Sequence, residues 1–167
     1  MLKFAGIAVA ATALLTAGPA VAHTSTTPTC TSVDLNIAFG RTEGTAGTTY
    51  REVVLTNRGI ATCVLRGFPG VSFVDASGNR VGTAAVRRGE RGALLTLSHG
   101  ASATSDVGFV NIANFDPAVC RPTSVWGLKV YPPDETRPLY LPMTDQSGCA
   151  GDTSPHGNHL TVASVRS

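Results

Sequence analysis

Four cysteines, at positions 30, 63, 120 and 149, stand behind an N-terminus of export type, and this pairing constrains the fold more than any other feature of the chain. Lys3 supplies a positive start, Phe4 to Ala17 an apolar run, and Ala20-Val21-Ala22 a small-x-small cleavage site. Residues 1–22 therefore read as a signal peptide, 23–29 as a flexible leader, and 30–167 as a single domain. The apolar run is short and is broken by Gly18-Pro19, so stable membrane insertion is not expected. Cys30 follows Thr-Pro-Thr rather than a small-residue lipidation box, which favours simple secretion, extracellular or to the cell envelope. An even cysteine count in an oxidising compartment implies two disulfides. Four cysteines allow three connectivities. Cys30–Cys63 and Cys120–Cys149 are favoured because each closes a loop of about thirty residues, worth roughly 3–4 kcal/mol in the chain-entropy model. Zinc is not expected, since no pair has the C-x-x-C spacing.

Between the cysteines the chain is written for strands. Val33, Leu35, Ile37 and Phe39 alternate with polar or small residues, the period of a strand with one wet face. Gly40 and the Gly44–Gly47 segment are expected to end it as a loop. Arg51, Val53, Leu55 and Asn57 form one face of the next strand, and Asn57-Arg58-Gly59 is a turn in which Gly59 is expected to take a positive φ. Short strands are expected at 62–66, 71–74, 80–82 and 93–97. Pro69, lacking an amide hydrogen, should stop the ladder, and Phe68 should plug the core edge. Asp75 to Asn79 is a hairpin loop by composition, and Arg87 to Gly92 a polar loop. Ala101 to Val110 is a strand whose apolar face is interrupted by Ser105. Asn111 to Pro117 is a helical turn or crossover loop. Trp126 shares a face with Leu128 and Val130 and is expected in the core. The last strands are 139–141 and 160–165, with 146–158 as a loop. Short, evenly spaced strands and no helix-period face give an all-β chain, an antiparallel β-sandwich of about seven to nine strands.

The chemistry-bearing residues do not assemble into a motif. No G-x-S-x-G elbow is present, because Gly70-Val71-Ser72-Phe73-Val74 lacks its second glycine. Asp152, His156 and His159 are close in sequence, but Pro155 and Gly157 mark a loop, and both histidines are expected to be exposed tail residues rather than metal ligands. His99 reads as a turn residue. The carboxylates are scattered, and Gly40 to Gly47 lacks the Lys-Ser/Thr ending of a phosphate loop. Net charge is +2 and Lys, Arg, Asp and Glu make up 14% of the chain, which argues against a nucleic-acid surface. No catalytic, cofactor-binding or metal residue is expected; the only site residues named are the disulfide cysteines Cys30, Cys63, Cys120 and Cys149.

Cys30, Leu35, Gly40, the Thr48–Asn57 strand ending in Leu-Thr-Asn, and Thr62-Cys-Val-Leu-Arg-Gly-Phe-Pro-Gly-Val-Ser-Phe73 together resemble a secreted actinobacterial family, domain of unknown function 4232. Residues Cys63 to Phe73 carry the most specific part of the resemblance, which covers about Cys30 to Cys149. It implies an immunoglobulin-like sandwich at or outside the cell envelope, and it implies no activity. The expectation is a secreted, non-enzymatic module that binds a protein or an envelope glycan. Its candidate surfaces are Gly40–Gly47, Arg87–Arg91 and Asn111–Phe115. A structural envelope protein without a specific ligand, and a hydrolase with an unrecognised site, are the alternatives.

Overall fold

Alternating Val, Leu and Thr along 48–57 place one side chain in two against an apolar layer, and the rest of the chain extends that layer. The computed structural model describes residues 26–167. The expected signal peptide and the start of the expected leader lie outside the described residues. In chain order the strands are β1 (Leu35–Thr45), β2 (Thr48–Asn57), β3 (Cys63–Leu65), β4 (Gly70–Val74), β5 (Arg80–Val81), β6 (Val86–Arg88), β7 (Leu95–Leu97), β8 (Ser102–Val110), β9 (Pro122–Tyr131), β10 (Leu139–Cys149) and β11 (Leu160–Ala163). A one-turn helix, α1 (Pro117–Cys120), separates β8 from β9. The fold is all-β, and both disulfides pair as expected, Cys30 with Cys63 and Cys120 with Cys149.

One sheet runs β1-β2-β8-β11-β6, a second β10-β9-β4-β5, and β3 pairs with β7. Inward residues of both large sheets meet in one core: Val53, Val107, Leu160 and Val162 from the first, Val71, Phe73, Leu128, Val130 and Leu141 from the second. A second core, around Leu35, Leu55, Leu65, Leu97 and Val165, surrounds the Cys30–Cys63 disulfide. A third holds Phe115 against Cys120–Cys149. By register, β2 and β8 run from the second core at Asn57 and Ser102 to the opposite end at Thr48 and Val110. The sandwich thus has two distinct ends, one with each disulfide.

The first end is closed. Asn57 is fully buried, and both polar atoms of its side chain are hydrogen-bonded. Nδ2 donates to the carbonyls of Ala61 and Leu97, each at 2.9 Å, and Oδ1 accepts from the Gly59 amide at 2.9 Å. The turn after β2 is therefore shaped from inside. Gly59 does not take a positive φ; it is needed because a Cβ there would stand 2.7 Å from Asp34 Oδ1. Nearby, Glu135 accepts from the amides of Ser32, Thr136 and Arg137, and Ser32 Oγ donates to the Arg137 carbonyl. These bonds tie the segment before β1 to the β9–β10 connection, one sheet to the other.

Several expectations change. β1 begins at Leu35, not Val33, because the Asp34 amide bonds back to the Thr31 carbonyl and this turn leaves Val33 68% exposed. β1 also runs through Gly40 and Gly44 to Thr45, so Gly40–Gly47 is a hairpin rather than a loop. β10 likewise continues through Gln146 to Cys149. β6 lies in what reads as polar loop. All three of its residues are exposed, so no alternation announces it, and it pairs parallel to β11 at the sheet edge. With it the described residues hold eleven strands. Trp126 is 42% exposed while Val125 and Leu128 are buried. A register shift in the facing strand, between Pro142 and Gln146, breaks the alternation at this point. Ser105, which interrupts the β8 face, is buried and donates to the Ala163 carbonyl at 2.7 Å.

Removing the Asn57 side chain takes a hydrogen bond from two carbonyls at the closed end and leaves the Gly59 amide with the Asp34 carbonyl alone. Asn57→Ala is expected to lower unfolding free energy by about 3 kcal/mol, measured by denaturant titration, whereas Asn36→Ala on the exposed face of β1 changes it by less than about 0.5 kcal/mol.

Candidate functional site

The second end of the sandwich is open, and the cause is local. β1 shifts register between Phe39 and Thr42, and β10 between Pro142 and Gln146. Both are outermost strands, one in each sheet. A bulge adds residues to one strand of a pair only, so the strand bends and its twist increases. Asp145, at φ 53, takes part of the bend in β10. The sheets part here around a cavity of about 670 Å³.

The β1–β2 hairpin lines it with the hydroxyls of Thr42, Thr45, Thr48 and Thr49. Asn111 and Ile112, after β8, form a second wall, and Asp145, Gln146 and Ser147 of β10 a third. The Asn111 amide and the Asn114 side chain both donate to the Gly47 carbonyl, which fixes the hairpin tip against the turn after β8. The Cys120–Cys149 disulfide anchors the far end of β10 behind these walls. Phe73, Phe109 and Met143 supply an apolar floor.

Two polar side chains within that apolar setting are unsatisfied. Arg51 sits in phase with the buried Val53 and Leu55, on the inward side of β2. Its guanidinium carbon lies 3.7 Å from the centroid of the Phe39 ring. Its Nε is buried without a hydrogen-bond partner. Among the described residues no carboxylate lies within ion-pair distance of it. His159, just before β11, is 1% exposed. Its ring meets Phe73 edge-on at 5.5 Å, and neither ring nitrogen has a partner of proper geometry. Gly82 leaves room for it: at φ +68, a Cβ there would stand 2.8 Å from His159 Cε1 and 2.0 Å from the Cys149 carbonyl oxygen. An unsatisfied buried polar group costs about 1–3 kcal/mol, and native structures hold few of them. Two converging on one cavity mark it as the candidate site.

The candidate surfaces separate accordingly. Gly40–Gly47 and Asn111–Phe115 come together as neighbouring walls of the cavity. Arg87–Arg91 does not join them: Arg87 lies 5.8 Å over the half-buried Phe68 ring, and Arg91 pairs with Asp134 at 3.4 Å. Asp152, His156 and His159 form no metal-binding group among the described residues, and His159 is a buried side chain rather than an exposed tail histidine. Arg51 and His159 were not singled out by sequence as site residues. For Arg51 the signal was available, because an arginine in phase with Val53 and Leu55 must either stack or find a partner. For His159 there is none, since its burial depends on Phe73 of β4 and on Gly82, in the bend after β5, arriving from elsewhere in the chain.

A second charged cluster lies across β1, β2 and β8. Arg41 and Arg166 both bond Glu52, at 3.1 and 3.0 Å, and Arg166 also bonds Asp106 at 3.1 Å. The Arg41 backbone amide, then the Arg41 and Arg166 charges, hold the Glu52 carboxyl below the usual carboxylate range. Every charge here has a partner, so the cluster reads as a cross-strand brace. No helix among the described residues is long and apolar enough to cross a membrane, and two disulfides are compatible with an extracellular location.

A family described as Domain of unknown function (DUF4232) matches residues 30–166. Comparison with curated proteins and with solved structures finds no match.

Burial pushes the His159 imidazole below its ordinary value, opposed in part by the Thr83 backbone. A base depressed in the folded state takes up its proton more readily when unfolded. Its contribution is therefore intact above about pH 6.5 and is lost as pH falls from there towards the folded value. The carboxyl of Glu52, also depressed, adds a separate loss below its own ordinary value of 4.5. Denaturation midpoints measured between pH 8 and pH 5 are expected to fall with pH in the native chain and to fall less steeply in His159→Leu.

Proposed function

Because the chain belongs to the DUF4232 family across residues 30–166, and that description carries no activity, we propose a function from the site itself: an exported, non-catalytic binding module whose ligand seats in the open-end cavity. The observation that carries this is the pair Arg51, whose buried Nε has no hydrogen-bond partner, and His159, whose buried ring nitrogens have none of proper geometry, beside one 670 Å³ cavity. Small-ligand sites have this make-up, a concave and partly apolar surface of about 300–1,000 Å³ with a few convergent polar groups. The cavity side chains are hydroxyls, amides, one exposed carboxylate, the Arg51 guanidinium, the His159 imidazole and the apolar floor. Among the described residues no cavity hydroxyl is hydrogen-bonded to His159, and the reading is of recognition rather than turnover. Hydroxyl and amide walls over an aromatic floor suit a polar envelope component, a glycan before a protein. The family background that the sequence resembles, a secreted immunoglobulin-like sandwich of the actinobacterial cell envelope, belongs to the same reading.

The test is binding of the mature chain to an array of defined bacterial envelope saccharides. Ser147→Trp, which fills the cavity mouth from an exposed position, is expected to abolish the signal. Arg88→Glu, on edge strand β6, is expected to leave it unchanged. Binding that survives Ser147→Trp and is lost in Arg88→Glu would place the ligand elsewhere and refute the proposal.

A further inference from the structure

The charge state of the cavity narrows the ligand, on the premise that the open end is a ligand site. Arg51 is the only arginine or lysine lining it among the described residues. Its Phe39 stack leaves the guanidinium without a carboxylate partner among the described residues, and Nε has no acceptor. A cation held in a partly buried place without a counter-charge is costly unless something anionic completes it. Guanidinium is suited to this, because its planar fork takes a carboxylate through two parallel hydrogen bonds. The second buried group, His159, is held towards its neutral form by desolvation. A neutral imidazole offers one donor and one acceptor, which suits a hydroxyl better than a second anion. The surrounding Thr42, Thr45, Thr49 and Ser147 hydroxyls, with the Asn111 and Gln146 amides, again match hydroxyl groups. Among the described residues Asp145 is the single acid at the cavity, and it is exposed at the bend of β10. It opposes ligands with several negative charges and tolerates one whose charge lies against Arg51.

We infer that the open-end cavity recognises a sugar acid, a hydroxylated ring bearing a single carboxylate, with the carboxylate on Arg51 and the ring hydroxyls on the threonine wall and His159. Sheet-edge docking and phosphate recognition are weaker fits. The first leaves the buried polar groups unexplained, and the second sets a dianion near Asp145.

The experiment is calorimetric titration of the mature chain with D-glucuronate, its methyl ester, D-glucose and acetate. The methyl ester removes the charge and preserves the ring. D-Glucuronate is expected to bind at least about tenfold more tightly than its methyl ester or glucose, and acetate too weakly to measure. Arg51→Gln is expected to erase the preference over the ester, and Asp145→Asn to strengthen glucuronate binding about two- to threefold. Should Arg51→Gln fold poorly, the comparison of glucuronate with its ester in the native chain decides alone. Equal binding of glucuronate and its ester, blocked by Ser147→Trp, overturns the sugar-acid inference and leaves the cavity as a ligand site. Binding of glucuronate that Ser147→Trp and Arg51→Gln both leave intact overturns the cavity reading as well. No binding of glucuronate, with another saccharide held in the cavity, also overturns the inference.

Discussion

The three hydrogen bonds of the Asn57 side chain hold the closed end of this molecule together. Asn57 ends β2, the strand at the centre of the larger sheet's interface with β1 and β8, and both of its side-chain polar atoms bond backbone: the Ala61 and Leu97 carbonyls and the Gly59 amide. Through Leu97 the bonds reach β7, and through β7 the β3 strand that carries Cys63. The Cys30–Cys63 disulfide then returns to the segment before β1. A buried amide, a disulfide and the Glu135 clasp thus act on the same few residues. The core of Leu35, Leu55, Leu65, Leu97 and Val165 fills the space they enclose.

With one end fixed in this way, the other can depart from regular pairing. The two outermost strands bulge at Phe39–Thr42 and Pro142–Gln146, and each bulge falls towards the end remote from Asn57. There the second disulfide keeps β10 beside α1 and the Phe115 cluster without closing the space between the sheets. Arg51 and His159 occupy that space. Had they been apolar, the Phe73, Phe109 and Met143 layer would continue as ordinary core. As they stand, they carry a desolvation cost that a bound polar ligand would offset, and binding sites are where such local conflict is expected.

How much of this the sequence discloses follows from the range of each signal. The β2 face, the disulfide pairing, the 75–79 hairpin and the all-β class are local or loop-length properties, and they are legible. Val33 misleads because its alternation continues that of β1, while a Thr31–Asp34 turn decides its exposure. Trp126 misleads because a bulge in a partner strand, not its own neighbours, breaks the period of β9. β6 leaves no trace because an exposed edge strand needs no apolar side. Of the site, the hairpin and the turn after β8 were visible as candidate segments. That they share one cavity is a product of β2–β8 registry, and that His159 lies buried in it is a product of close approach at Gly82. Both are long-range.

The most direct test of a ligand cavity at the open end is the Nε–Hε resonance of Arg51, followed by NMR while the mature chain is titrated with D-glucuronate. A shift and slowed solvent exchange are expected at Arg51 Hε, with backbone shifts confined to Thr42–Thr49, Asn111–Ile112, Gln146–Ser147 and His159. Perturbations that gather instead along Arg87–Arg91, or on the Trp126–Tyr131 face, with Arg51 unmoved, would contradict it.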